Sequence, residues 1–137
     1  MTLQEKMKNL RDTLDTLTNW ELKYEYIIET GKSAPALPPE YKNDSCKIHG
    51  CQSQVWIGME VRDEKLFVHV DADSIIAKGI ATLIAQLCSD VTAQEVAQAD
   101  IAGFCNEIGL LSNLSPTRAH GLLSMITTIQ NFAKLHI

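Results

Sequence analysis

The sequence predicts an α+β fold in which a small antiparallel sheet, built around a β-hairpin, is packed by helices. Apolar residues recur at helical spacing near both ends of the chain. In the middle of the chain they alternate with polar residues, as in strands with one buried face. No internal repeat and no linker interrupts these segments, so the 137 residues are predicted to form a single domain, residues 1–137.

The composition is that of a soluble globular protein and argues against several classes of partner. Apolar residues make up 45% of the chain and charged residues 21%, with a formal net charge of -5. Lys and Arg are not clustered, which argues against a nucleic-acid partner. No apolar stretch approaches the ~20 residues that cross a bilayer, and Met1–Arg11 lacks an apolar signal-peptide centre. We therefore expect a cytoplasmic protein without a membrane partner.

Two helices are predicted at the N-terminal end. Thr2 and Glu5 have the spacing of a capping box, in which each side chain satisfies an amide of the first turn. Thr18 and Glu21 repeat this spacing, and Gly31 is a natural stop for the second helix. The pair is expected to form a helical hairpin, packed stripe to stripe or against a sheet. The stripes comprise Leu3, Met7, Leu10, Leu14 and Leu17, then Trp20, Tyr24, Ile27 and Ile28.

A β-hairpin is predicted in the middle of the chain. Prolines make residues 32–45 a loop, and residues 47–49 could add a short strand. The main strand is expected over residues 54–62, with Asp63 and Glu64 as the turn. The alternating apolar residues are Val55, Ile57, Met59 and Val61, then Leu66, Val68 and Val70 on the returning strand.

Helices are predicted for the rest of the chain. Asp73 or Ser74 is expected to cap a helix that follows the hairpin. Thr92 and Glu95 form a further capping box, and Pro116 is well suited to the first position of the last helix. The inward residues are Ile76, Ile80, Leu83, Ile84 and Leu87 in the first of these helices and Leu122, Met125, Ile126, Ile129 and Phe132 in the last.

One of the four cysteines stands in a sequence context that suggests chemistry. Cys88 and Cys105 lie in apolar surroundings and are predicted to be buried, whereas Cys46 lies in a polar loop and has no assigned role. Cys51 follows Gly50 on the loop that enters the main strand. A rigid scaffold would hold such a loop, and the glycine leaves room for a reactant to approach. Cys51 is therefore the candidate nucleophile, since a thiolate is the reactive form of cysteine.

The residues alone leave other interpretations of this segment open. Cys51 could be a small buried residue, and His49 could pair with it or simply be solvated. The spacing of Cys46, His49 and Cys51 is unusual for zinc, and no second ligand pair follows. A thiol–disulfide oxidoreductase would normally carry Cys-x-x-Cys, which is absent from the sequence.

The run Gly-Cys-Gln-Ser-Gln-Val-Trp, residues 50–56, resembles the signature of the SufE family of sulfur-acceptor proteins. Residues 115–122 resemble the family's Ser/Thr-Arg-x-x-Gly-Leu pattern, and residues 71–79 resemble its Asp-x-Asp stretch ending in Lys-Gly. The resemblance extends along nearly the whole chain, and Gln-Ser-Gln after the cysteine favours SufE over the CsdE-like branch.

This resemblance implies an α+β fold similar to that of IscU scaffold proteins. It implies a sulfur carrier that activates a SufS-like cysteine desulfurase rather than a stand-alone enzyme. Cys51 would take the persulfide sulfur and pass it to the SufB-like scaffold of the SUF iron–sulfur assembly system. Pyridoxal phosphate would belong to the desulfurase, so no cofactor or metal is expected here. The alternative is an iron–sulfur or zinc-binding scaffold of IscU-like fold, which needs several converging ligands. The oligomeric state, a homodimer included, stays open.

The resemblance also suggests residues that support Cys51. Arg118 could stabilise a thiolate or pair with a partner's carboxylate, although it could equally be a surface arginine in a first helical turn. Gln54 is expected to hold the loop by hydrogen bonds, while His49 inherits no family role. Cys51 is expected to lie partly against apolar neighbours and to swing out when the partner docks. A partner-binding role is suggested for Asp71, Asp73 and Lys78, with helix capping as the alternative for the two aspartates.

Overall fold

Helices surround a small antiparallel sheet in the structure, a computed structural model that describes residues 1–49 and 53–137. This confirms the predicted α+β class. Two short 3-10 turns, Pro39–Tyr41 and Asp44–Cys46, lie in the predicted loop. The helices α1 to α6 span Leu3–Asp15, Trp20–Lys32, Ile75–Cys88, Ala93–Gln98, Ile101–Glu107 and Pro116–Lys134, and the strands β1 to β3 span Val55–Arg62, Lys65–Ala72 and Val91–Thr92.

The predicted hairpin is formed by β1 and β2. Its register runs from Val55 opposite Ala72 to Arg62 opposite Lys65. The two turn residues both have positive φ, 53° at Asp63 and 68° at Glu64. Positive φ at both central residues is typical of a type I′ turn, whose twist matches that of a β-hairpin. The turn therefore forms even though Asp-Glu is not a preferred pair.

Two details of the sheet differ from the sequence prediction. Residues 47–49 do not form a strand, because Lys47 makes only an isolated bridge to Trp56. Strand β3 was not predicted, and its two residues pair with Lys65 and Leu66 of β2. A two-residue strand has too few residues to show an alternating pattern, so the sequence carries no periodic signal for it.

Helix α3 is the centre of the fold, and α2 packs closely on it through two glycines. A Cβ atom at Gly31 would lie 2.7 Å from the Gly79 nitrogen, and one at Gly79 would lie 2.3 Å from the Ile27 carbonyl oxygen. Gly31 is therefore a packing residue and not the predicted stop, since α2 continues to Lys32. The cap of α2 is also corrected: the Asn19 side chain accepts the first-turn hydrogen bond rather than that of Thr18.

The two N-terminal helices both pack on α3 rather than mainly on each other or on the sheet, so both predicted packings of the pair are wrong. From α1, the Lys6 ammonium donates hydrogen bonds to the carbonyl oxygens of Gln86 and Ser89 at the end of α3. A cation at a helix C-terminus is favourable, because the last carbonyls there lack intrahelical partners.

The predicted helix starts agree with the structure in most cases. Capping boxes form at Thr2 and Thr92 as predicted. Of the two candidates before α3, Ser74 is the cap, and its side chain accepts a hydrogen bond from the Ala77 amide. Among the described residues, no helix combines the length and apolar character that crossing a bilayer requires.

Cys88 and Cys105 are core residues, as predicted, with no exposed surface. Burial raises the pKa of each thiol from 9.0 to about 12. The folded protein therefore keeps these protons at pH values where the unfolded chain loses them, and both thiols are poor nucleophiles near neutral pH.

This burial predicts that the protein loses stability in alkali. The pKa of each thiol is higher in the folded protein than in the unfolded chain. Their contribution to the free energy of unfolding is therefore complete below about pH 9 and is lost as the pH rises toward 12. Each thiol lowers the free energy of unfolding by up to about 1.4 kcal/mol per pH unit. Urea unfolding at several pH values between about 8 and 10.5 measures how steeply the free energy of unfolding falls with pH. The substitution Cys105→Ala should make this fall less steep. An equally steep fall with pH in that variant would contradict a contribution from the buried Cys105 thiol.

Candidate functional site

The base of the loop that carries the candidate nucleophile is closed by backbone hydrogen bonds. The Ile48 amide donates to the Val55 carbonyl at 2.8 Å, and the Asp73 amide donates to the Gln54 carbonyl at 3.1 Å. The first bond ties the incoming chain to β1, and the second extends the β1–β2 ladder beyond its last pair. The predictions for Gly50 and Cys51, including a cysteine partly covered by apolar neighbours, lie outside the described residues.

Asp73 anchors the loop through its side chain as well. Its carboxylate oxygen accepts a hydrogen bond from the Gln54 amide at 2.9 Å. This contact corrects the capping interpretation of Asp73, because Ser74 is the cap of α3. Gln54 is thus held through its backbone amide, and the residue itself is exposed.

Loss of the Asp73 carboxylate should loosen the end of the loop. In Asp73→Ala the Gln54 amide loses its carboxylate acceptor, which we expect to cost about 1–2 kcal/mol of local stability. Hydrogen exchange of the Gln54 amide should then become roughly tenfold faster or more. Asp73→Asn keeps an oxygen acceptor and serves as the control. Equal exchange rates in the wild type and in Asp73→Ala would contradict the anchoring role.

Arg118 reaches the same region from the first turn of α6. The Ser115 side chain caps this turn by accepting a hydrogen bond from the Arg118 amide at 3.3 Å. The Arg118 side chain lines a small cavity of about 30 Å³, which holds roughly one water-sized group. The cavity is lined by Ser53, Val55, Ala77, Ile80, Thr117, Arg118, Gly121, Leu122 and Met125.

The guanidinium group of Arg118 includes a buried hydrogen-bond donor. Its Nε atom is buried and has no hydrogen-bond partner among residues 1–49 and 53–137. A buried donor without a partner costs free energy, so such groups commonly indicate an interaction that is not present in the described structure. The wall residue Ser53 lies two positions after Cys51 in the chain. The arrangement offers a cationic donor beside the loop end, where an anion could bind.

Asp71 on β2 and Lys78 on α3, both expected to contact a partner, contact each other. Asp71 forms ion pairs with Lys42 at 3.2 Å and with Lys78 at 3.6 Å. Partial burial acts to raise the pKa of Asp71, but the Ala72 amide and the two ammonium groups outweigh it and lower that pKa. Asp71 is thus a partner for lysines of its own chain. Lys42 also lies 4.9 Å from the Trp56 ring centroid.

His49 and Cys46 lie near each other but form no metal site with the described residues. Both line a groove between β1 and α6, where His49 is exposed and Cys46 is half-buried. Within residues 1–49 and 53–137, no three His, Cys, Asp or Glu side chains converge as metal ligands would. Cys88 and Cys105 are buried in the core and cannot join such a set.

Comparison with known proteins identifies the family. The model of the family described as "SufE: Fe-S metabolism associated domain" matches residues 8–133. The chain belongs to the SufE family. Its role therefore lies in iron–sulfur metabolism. A solution structure of a hypothetical protein from Thermus thermophilus has a TM-score of 0.80 and 20% identity to this SufE-family chain. The match covers 96% of this chain and 95% of the other, and it confirms the fold.

Sequence reasoning about this SufE-family chain found Arg118 but missed three features of the site. Of the wall residues on α3, Ile80 is predicted only as an inward residue of its helix, and Ala77 is not singled out by the sequence. The contact between Gln54 and Asp73 could have been found, because a hairpin with its turn at residues 63–64 places residues 54 and 73 opposite each other. Nothing in the sequence indicates that the Arg118 Nε is left without a partner among the described residues.

Proposed function

We propose that this SufE-family protein is a sulfur acceptor and activator of a cysteine desulfurase, with Cys51 as the sulfur carrier. The observation that carries the proposal is that Arg118 and Ser53 line the same small cavity, while the buried Arg118 Nε has no partner among the described residues. Ser53 belongs to the family's cysteine signature, so Arg118 and that segment contribute to one cavity. A persulfide or thiolate is an anion that such a donor can stabilise.

The proposed transfer is a displacement at sulfur. The Cys51 thiolate attacks the terminal sulfur of a cysteine persulfide on the desulfurase. A new sulfur–sulfur bond forms at Cys51 as the old one breaks, and the desulfurase cysteine leaves as a thiolate. One sulfur–sulfur bond replaces another, so no external oxidant or reductant is needed. Clearing the persulfide in this way frees the desulfurase for its next turnover, which explains the activation.

Delivery of the sulfur is the second half of the proposed function. The Cys51 persulfide is attacked in turn by a thiolate of the SUF scaffold, a SufB-like protein, where clusters are assembled. Pyridoxal phosphate stays on the desulfurase and supplies the carbon–sulfur bond cleavage there. The residues of the present chain bind and orient the sulfur. Asp73 holds one end of the loop, and Arg118 offers a positive charge near it.

Mass spectrometry tests the acceptor role directly. The protein is mixed with a SufS-like desulfurase and cysteine, and its peptides are analysed without reductant. We expect the mass of one or more sulfur atoms on the peptide that contains Cys51. An intramolecular disulfide instead would indicate a redox protein, and sulfur found only on Cys46 would contradict the assignment of the carrier.

Arg118 should increase the reactivity of Cys51. In Arg118→Met the apolar stem is kept and the charge is lost, so we expect alkylation of Cys51 at neutral pH to slow by about 3- to 10-fold. Arg118→Lys should restore part of the rate, because it keeps a cation without the fork of donors. Lys134→Met, at the other end of α6, is the matched control and should react like the wild type. An alkylation rate that does not change in Arg118→Met, or that falls equally in Lys134→Met, would contradict this role.

A further inference from the structure

Strand β2 has one edge that its own sheet covers only at one end. Backbone groups of alternate residues point to opposite sides of an antiparallel strand. The Asp90 amide donates to the Leu66 carbonyl at 2.7 Å from the side away from β1. Leu66, Val68 and Val70 therefore direct their amides and carbonyls toward this free edge.

The three residues differ in what satisfies these groups. Leu66 pairs with Val91 of β3. At Val68 the Ser89 hydroxyl replaces a strand, because it accepts from the Val68 amide at 2.9 Å and donates to the Val68 carbonyl at 3.4 Å. The Val70 amide and carbonyl have no hydrogen-bond partner among the residues that the structure describes. Backbone amides and carbonyls without a partner at a sheet edge can form hydrogen bonds with an added strand.

The open edge faces a groove of about 360 Å³. Residues 34–37 form its other wall, and the buried Thr82 and Ala85 of α3 contribute to its lining. None of the described lining residues is Asp, Glu, Lys or Arg. A strand added beside β2 would thus have the small Thr82 and Ala85 against it and residues 34–37 beside it. His69 would be its only ionisable neighbour among the described lining residues.

We infer that this groove binds an extended, uncharged peptide segment of another protein, which joins the sheet beside β2. The Val70 amide and carbonyl supply main-chain hydrogen bonds, and the small Thr82 and Ala85 leave room for a β-branched side chain. The wall from Phe67 to Val70 is about 13 Å long, enough for roughly four extended residues. The sheet edge of a second copy is a poorer fit, because residues 34–37 also line the groove and would have to accommodate a whole sheet instead of one segment.

This inference is independent of the sulfur chemistry and has its own test. The 15N-labelled protein is titrated with the blocked peptide acetyl-Gly-Thr-Val-Thr-Val-Gly-amide. We expect the Val70 amide resonance to shift and its hydrogen exchange to slow by about tenfold. Two control peptides carry N-methyl groups, one on both valines and the other on both threonines. One of the two should lose binding, because only one set of amides faces β2.

Substitutions in the groove make the test sharper. Ser89→Ala frees the Val68 amide and carbonyl, so the peptide should bind about 3- to 10-fold more tightly. Ala36→Asp places a charge in the exposed wall and should weaken binding by a similar factor. Equal binding of both methylated peptides, or a Val70 amide that is already protected in the free protein, would overturn the inference. A dimer that protects Val70 at high concentration would replace the peptide with a second copy and overturn it as well.

Discussion

Cys51→Ser should abolish sulfur acceptance and reduce the stimulation of a cysteine desulfurase by at least roughly a hundredfold. A serine hydroxyl has nearly the size of the thiol but is not ionised at neutral pH and forms no persulfide. The rate of alanine or sulfide production by the desulfurase, measured with and without the variant, gives the loss. The expected result is a turnover close to that of the desulfurase alone, with no added sulfur on the variant by mass spectrometry.

Cys46→Ser is the matched control for this experiment. Cys46 is half-buried in a 3-10 turn near the base of the loop, and the transfer proposed above does not use it. We expect full stimulation by Cys46→Ser and an unchanged free energy of unfolding for both variants. Sulfur delivery at the wild-type rate by Cys51→Ser would contradict the proposed function. Loss of activity in both variants would indicate a site that needs two thiolates, as the scaffold alternative requires.

Gly79→Ala is expected to have the largest effect on stability. The added methyl carbon would lie 2.3 Å from the Ile27 carbonyl oxygen and 2.7 Å from its Cγ2 atom. The nearest atom belongs to the backbone of α2 and cannot rotate away, so α2 and α3 must separate. We expect a loss of about 3 kcal/mol in the free energy of unfolding, at the upper end for overpacking. Urea unfolding measures this loss, and we expect the dependence of the free energy on urea concentration to be unchanged.

A control for Gly79→Ala lies on the same helix. Gln86 is exposed, and Gln86→Ala removes no backbone contact, so its effect should stay within about 0.5 kcal/mol. Helix propensity favours alanine in both substitutions, so a large loss in Gly79→Ala alone must come from the contact between α2 and α3. A Gly79→Ala variant as stable as the wild type would show that the helices separate at little cost.

Local patterns account for the parts of the fold that the sequence predicted correctly. The apolar alternation on both sides of Asp63 and Glu64 specifies the hairpin, and the boxes at Thr2 and Thr92 specify two helix starts. These signals lie within a few residues of the structure that they predict. The cysteine signature and Arg118 were found in the same way, as short motifs.

The two errors in the second helix have different physical origins. Gly31 was interpreted as a helix stop because glycine often ends helices, but its neighbour Gly79 lies far away in the chain. The spacing of Thr18 and Glu21 predicts a cap at Thr18, whereas the neighbouring Asn19 makes the contact, a local choice between adjacent residues that the spacing does not resolve. Local propensity is a weak guide where a residue is chosen for a tertiary contact.

The sequence by itself determined the class of fold and the hairpin with its turn, and it indicated the two functional candidates Cys51 and Arg118. Only the tertiary structure decided that Asp73 anchors Gln54, that the Arg118 Nε is buried without a described partner, and that the β2 edge is open at Val70. The physical reason is that periodicity and capping act within a few turns of chain. Burial and unmet hydrogen bonds depend on how distant segments pack together.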